Sequence, residues 1–202
     1  MNKDKLLDQF FTHPLIAKRV VDLVDETYGF ENYDYIIEPS MGSGSIFNHL
    51  PEQKRVGIDV DKLHPECYQK DYLEWFPSDC GIRWDPLDFD NSKMLVLGNP
   101  PFGRNSRLMV DFFKHSRLFS DVIVFIVPAS WKKETLHRRL PRDFRLQTTI
   151  DLPDWSITYQ GEKFPVGCVA QFWSRFDVKI DPSIDWTDLK EVDAKLRFSA
   201  RN

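Results

Sequence analysis

An α/β fold built on an open sheet is what this 202-residue sequence predicts, and three observations predict it. Short apolar runs alternate along the chain with polar stretches of helical period. Two of those runs, residues 93–97 and 122–127, are continuously apolar, as strands covered on both faces must be. Successive strands also end on acidic or polar residues, the position at which open α/β sheets gather their ligands.

The elements follow in order. Pro14 occupies a first helical position, and Leu15, Ile16, Val20, Val21, Leu23 and Val24 have the spacing of an amphipathic helix ending near Gly29. A strand over 33–38 runs into Pro39-Ser40-Met41-Gly42-Ser43-Gly44-Ser45, too rich in small residues to be regular structure, and then into a brief helix over 46–50. The second strand, 55–58, ends on Asp59 and Asp61, and a weaker third, 67–70, ends on Asp71. The fourth, 93–97, delivers the tetrad Asn99-Pro100-Pro101-Phe102 at its C-terminal end. A helix over 106–119, the strand 122–127, a basic helix over 131–140 and strands near 146–152 and 166–173 complete the pattern. Residues 154–163 read as a polar loop carrying Trp155 and Tyr159, and beyond Arg175 the chain turns polar without specifying an element.

Length and composition fit a single domain over 1–202 with a sizeable core. No apolar run approaches the roughly 18 residues of a membrane span, and the polar start lacks a signal-peptide core. An intracellular protein, cytoplasmic or nucleoid-associated, is expected. Cys67, Cys80 and Cys168 show no paired metal-ligand spacing, so no metal is expected. The net charge of −4 is unevenly spread. Residues 98–145 carry +6 and the remainder −10, and a locally basic surface can hold a polyanion whatever the total charge. Lys132, Lys133, Arg138, Arg139 and Arg142 are the candidate phosphate contacts, with Arg145 in the same stretch; a solvated helical face is the alternative.

The glycine turn, Asp59, Asp71 and Asn99 should converge on one crevice beyond the strand ends. Gly42 and Gly44 let the backbone approach a ligand closely. Such a turn serves dinucleotides as well as S-adenosylmethionine. A carboxylate closing the second strand can accept from both ribose hydroxyls, and one closing the third from an exocyclic adenine amine. Asp59 and Asp71 stand there, although either could instead cap a helix or a turn.

Glu38-Pro39-Ser40-Met41-Gly42-Ser43-Gly44 resembles the first motif, acid-Pro-x-x-Gly-Ser-Gly, of the class I amino-methyltransferases. Gln9-Phe10-Phe11-Thr12-His13-Pro14 is similar to the aromatic-Thr-Pro motif that closes over their cofactor, with His13 as an intrusion. The resemblance covers roughly residues 9–173. It implies a Rossmann-like sandwich, a mostly parallel seven-stranded sheet with an antiparallel last strand and helices on both faces. A cofactor-closing segment about 1–30, a catalytic core about 31–176 and a tail 177–202 would make up that domain. The implied cofactor is S-adenosyl-L-methionine, contacted by Gln9, Phe11, Thr12, Glu38, Pro39, Ser40, Gly42, Ser43, Gly44, Ser45, Asp59, Asp71, Tyr72 and Asn99.

The tetrad suits methyl transfer to an exocyclic amine. The lone pair of such a nitrogen is delocalised into the ring, and acceptors on its N–H groups draw it toward tetrahedral geometry. The Asn99 side-chain oxygen and the Pro100 carbonyl can each take one, Pro101 stiffens the loop, and Phe102 offers a stacking face to an extruded base. A Pro-Pro turn that merely leaves a strand is the plain alternative. Tyr159, Trp155 or Phe164 could form a second aromatic wall. The expected substrate is adenine N6 in nucleic acid, DNA slightly ahead of RNA, with a protein partner for target selection in view because no recognition domain is present. Glutamine methylation on a protein and a catalytically silent binding subunit are the competing readings.

Overall fold

The computed structural model describes residues 10–87, 91–159, 162–163, 166–180, 184, 186–189 and 192. Gln9, Phe164 and most of the tail beyond 180 fall outside them. Among the described residues, no helix is long and apolar enough to cross a membrane.

A first short strand, β1 (Phe11–Thr12), precedes α1 (Pro14–Tyr28). The helix starts where the sequence requires, with Pro14 in its first turn and the His13 side chain accepting from Leu15 N–H at 3.3 Å. It stops at Gly29, whose φ of 65° is cheap only for glycine. Then come β2 (Tyr35–Pro39), β3 (Arg55–Asp59), β4 (Tyr68–Gln69), β5 (Met94–Gly98), α2 (Arg107–Ser116), β6 (Val122–Pro128), the single turn α3 (Glu134–His137), β7 (Arg145–Asp151), β8 (Ile157–Tyr159), β9 (Glu162–Lys163) and β10 (Cys168–Ser174).

Seven strands form one sheet in the order β4-β3-β2-β5-β6-β10-β7. The pairs from β4 to β6 are parallel, while β10 runs antiparallel to both its neighbours. The predicted seven-stranded, mostly parallel sheet is therefore present. Its alternation explains the continuous apolar runs. Leu95, Leu97, Val122, Val124 and Ile126 face the layer of α1, and Met94, Val96, Ile123, Phe125 and Val127 face that of α2. Each of these side chains is 2 % exposed or less, and each such burial contributes on the order of 2 kcal/mol.

The departures are local. The strand expected over 67–70 shortens to two residues at the sheet edge, and the helix over 46–50 becomes a 3-10 turn, Phe47–His49. In place of a basic helix over 131–140 there is a 3-10 turn, Ala129–Lys132, and then α3, which buries no residue. With no apolar stripe to dock, and Pro141 disfavouring helix at Leu140, nothing sustains it. The supposed polar loop 154–163 is also corrected. It forms β8 and β9, which with β1 make a separate three-stranded antiparallel sheet, Phe11 opposite Thr158 and Thr12 opposite Ile157. Trp155 and Ile157 are each 1 % exposed.

Candidate active site

The sheet order reverses between β2 and β5, and a cavity of about 520 Å³ opens beyond the C-terminal ends of these strands. β2 leaves the sheet through a turn in which Ser40 (φ 54°), Gly42 (φ 53°) and Gly44 (φ 87°) are left-handed. At Gly42 a Cβ would also stand 2.9 Å from Phe11 Cε1, so the close approach excludes any side chain. The turn is tied to what surrounds it. Gly42 N–H donates to Asp59 Oδ2 at 2.8 Å, and Asp61 N–H to Asp59 Oδ1 at 2.9 Å. Each carboxylate oxygen keeps a second lone pair for a ligand hydroxyl. The Ser40 hydroxyl reaches the main-chain carbonyls of Pro39 at 2.5 Å and Asn99 at 3.1 Å, joining the glycine turn to the tetrad.

Two polar side chains lining the cavity each bury an oxygen without a partner among the described residues. Glu38 is 3 % exposed; the Phe47 N–H donates to its carboxyl, yet Oε2 has no partner among the described residues. Burial raises its pKa well above the usual carboxylate range, the Phe47 bond pulls it down, and the Asp59 charge raises it further. Thr12, 3 % exposed, likewise has an unpartnered Oγ1. Buried polar atoms are rarely left so, and both belong to residues that line the cavity.

Asp71 lines the cavity too, but its Oδ1 accepts from Leu73 N–H at 2.9 Å and caps the 3-10 turn Tyr72–Glu74. The capping alternative is real, and one carboxylate oxygen remains. Tyr72 is buried with its hydroxyl committed to Ser116 Oγ at 2.8 Å, so only its ring and main chain can serve the cavity.

On the opposite side, β5 passes close to β2, where a Cβ on Gly98 would lie 3.1 Å from the Pro39 carbonyl oxygen. Asn99 follows, and its Nδ2 donates to the Phe10 carbonyl at 3.2 Å. A carbonyl only accepts, so the bond fixes which end of the amide is which and leaves Oδ1 as the acceptor. Pro100 is buried, Pro101 lines the cavity, and Phe102 stacks on Phe10 with ring centroids 6.5 Å apart and planes 18° apart. The chain then bends through Gly103 (φ 63°), Asn105 (φ 55°) and Ser106 (φ 54°) into α2. For residues with a Cβ this conformation costs about 1–2 kcal/mol each, somewhat less for Asn.

Of the expected cofactor contacts, Phe11, Thr12, Glu38, Ser40, Gly42, Ser45, Asp59, Asp71, Tyr72 and Asn99 line this one cavity. Pro39, Ser43 and Gly44 shape the turn without lining the cavity. Phe10, Leu108 and Phe112 were missed, as were the half-exposed Val60 and Leu63 at the lip. Only the position of Val60, next to Asp59, could have drawn notice to it.

The basic segment divides. Lys132 pairs with Asp151 at 2.5 Å, and Arg139 Nη1 donates to the Asn105 carbonyl at 2.9 Å. Lys133, Arg138 and Arg142 are exposed and make no ion pair among the described residues. Trp155 is no base-stacking wall, since it is buried edge-on against His13 at 4.9 Å. The Tyr159 side chain and Phe164 lie outside what the structure describes. Nor do the described residues hold a cluster of His, Cys, Asp and Glu fit for a metal ion.

This strand order, with the antiparallel strand inserted next to the edge, is the class I methyltransferase fold. No family model and no curated protein sequence matches the chain. Among solved structures it is similar to a candidate RNA methyltransferase from Pyrococcus horikoshii, with 17 % identity, a TM-score of 0.58, and coverage of 89 % of this chain and 91 % of the other. It is also similar to a candidate class I S-adenosylmethionine-dependent methyltransferase from Listeria monocytogenes, with 15 % identity, a TM-score of 0.57, and coverage of 87 % and 64 %. A candidate hemolysin from Lactococcus lactis shares the fold at 6 % identity and a TM-score of 0.53, covering 88 % and 96 %. At such identities the likeness establishes the fold, and the chemistry has to be argued from the site.

Proposed function

We propose that the protein uses S-adenosyl-L-methionine to methylate the exocyclic N6 amine of adenine in nucleic acid. The observation that carries this reading is Asn99, with its amide nitrogen held by the Phe10 carbonyl and its oxygen left to accept, lining the same cavity as Asp59 and Glu38. The cavity suits the cofactor by its donor set. Asp59 offers carboxylate lone pairs to a ribose, Asp71 its remaining oxygen to an adenine amine, and the unpartnered Glu38 and Thr12 oxygens meet the polar methionine end.

When bound, the cofactor supplies an electrophilic methyl group on its sulfonium. Asn99 Oδ1 and the Pro100 carbonyl would accept the two N–H bonds of the amine and turn its lone pair toward that methyl. Phe102, backed by Phe10, would stack on the extruded base. The nitrogen would bond the methyl as the carbon–sulfur bond breaks, and the cationic amine so formed is acidic enough to release its proton to water, so no strong base is required. Lys133, Arg138 and Arg142 would follow the phosphate backbone, while Lys132 is already paired with Asp151. The form of the glycine motif favours DNA, and RNA is the alternative polymer.

Incubation with labelled S-adenosylmethionine and separate DNA, RNA and protein extracts, followed by complete digestion, tests this. Labelled N6-methyladenosine or N6-methyldeoxyadenosine supports the reading and names the polymer. Label only in methylglutamine replaces it with the protein substrate, and no transfer to any of the three rejects it.

A further inference from the structure

Arg139 stands in the basic segment, yet its guanidinium is turned to the protein. Besides its bond to the Asn105 carbonyl, the guanidinium carbon lies 6.0 Å from the Trp131 ring centroid. Trp131 is fully buried. Its carbonyl accepts from His137 Nε2 at 2.6 Å and from Gln171 Nε2 at 3.0 Å, so this platform is anchored to α3 and β10. The loop that Arg139 grips is the one with three left-handed residues, Gly103, Asn105 and Ser106. It joins the tetrad to α2, whose Leu108 and Phe112 line the cavity. The packing is close, because a Cβ on Gly103 would stand 2.8 Å from Leu108 Cβ.

We propose that Arg139 is a positioning residue, a strut resting on Trp131 that holds the 103–106 turn in its left-handed form and so fixes the tetrad relative to α2. Left-handed backbone at Asn105 and Ser106 persists only where the surroundings enforce it. Among the described residues, the Arg139 bond is the one that reaches this turn from a distant element. With one N–H on that carbonyl and its carbon over the Trp131 ring, the guanidinium is held by the protein, which separates Arg139 in role from the exposed Arg138 and Arg142. The kinetic consequence rests on the methyltransferase reading; the structural one does not.

The test therefore includes a readout independent of transfer, hydrogen exchange at the Ser106 amide, which donates to the Gly103 carbonyl at 3.3 Å. Arg139→Ala should speed that exchange about tenfold and lower kcat to a similar degree, with donor affinity unchanged. The salt slope of nucleic-acid binding should stay as it is, because Arg139 neutralises no phosphate. Adding Ser106→Gly should bring both readouts within about threefold of the parent, since glycine takes a positive φ without steric cost. Arg139→Lys keeps the charge but not the flat group over Trp131, and should behave like Arg139→Ala. Unchanged exchange in Arg139→Ala overturns the strut whatever the activity. A shallower salt slope in Arg139→Ala, restored by Arg139→Lys, makes Arg139 a phosphate-binding residue instead. Faster exchange in a protein that transfers no methyl group in any form supports the strut and rejects only the enzymatic reading.

Discussion

The two sides of the cavity are held by different means. On the glycine-turn side, the shape comes from residues close in sequence and from adjacent parallel strands: a left-handed turn, the Gly42 amide on Asp59, and Asp59 on the amide two residues later. On the tetrad side, each support comes from far along the chain. Phe10 holds the Asn99 amide, Ser40 reaches the Asn99 carbonyl, and Arg139 grips the loop behind. The first side is a preformed cradle, and the second is an assembly. Damage to the cradle should appear in donor affinity, and damage to the assembly in the rate of transfer.

Four experiments would break or sharpen that contrast. The largest effect is expected for Asn99→Ala, which removes the proposed acceptor for the amine and should cost roughly a hundredfold to a thousandfold in kcat. Calorimetric donor affinity should hardly change; a loss shared equally between kcat and donor binding would abolish the division. Asp59→Ala should weaken donor binding by about ten- to a hundredfold, because it removes charged hydrogen bonds and frees the Gly42 amide. Its kcat at saturating donor should stay near that of the parent, and a collapsed kcat would place Asp59 in the assembly.

The third concerns Glu38, whose folded-state pKa is raised, with burial as the main cause. Below the ordinary glutamate range both folded and unfolded forms are protonated and the stability is full. As pH rises through that range the unfolded chain ionises first, so the folded state loses stability until its own carboxyl ionises. Glu38→Gln removes this decline. Without donor, its urea midpoint should pull ahead of the parent's as pH climbs from about 4 toward neutrality; parallel curves would mean that the carboxyl ionises normally in the fold. The smallest effect is expected for Arg138→Glu with Arg142→Glu, which should weaken nucleic-acid binding without regard to sequence. The salt slope should drop by roughly 0.7–0.9 for each phosphate the arginines had neutralised, and an unchanged slope would make these arginines a merely solvated surface.

The same contrast governs what could be read from the sequence. The cradle was legible because its signals are local: Pro14 starting α1, the continuous strands β5 and β6, small residues after β2, and Asp59 closing β3. The tetrad was legible as a motif, but its supports were not. No local pattern says that Arg139 would turn inward to a carbonyl 34 residues away. Residues 154–163 look like loop because β8 and β9 are short and their partner is a two-residue strand near the start of the chain. Leu108 and Phe112 were hidden for another reason. On an amphipathic helix, an apolar side chain that lines a cavity and one that fills the core look alike.

The position of β10 has a consequence for how the molecule is made. It is the last strand of the sheet to be synthesised, yet it lies between β6 and β7, and all seven of its residues are buried. Until it arrives, the apolar strand β6 has an open edge, and the largely polar β7 has no neighbour in the sheet. A ribosome-bound or truncated chain ending before residue 168 would thus leave the β6 edge uncovered, and one ending after residue 174 would have it paired. The sheet cannot be completed before this late insertion, and solubility should change with chain length over those seven residues.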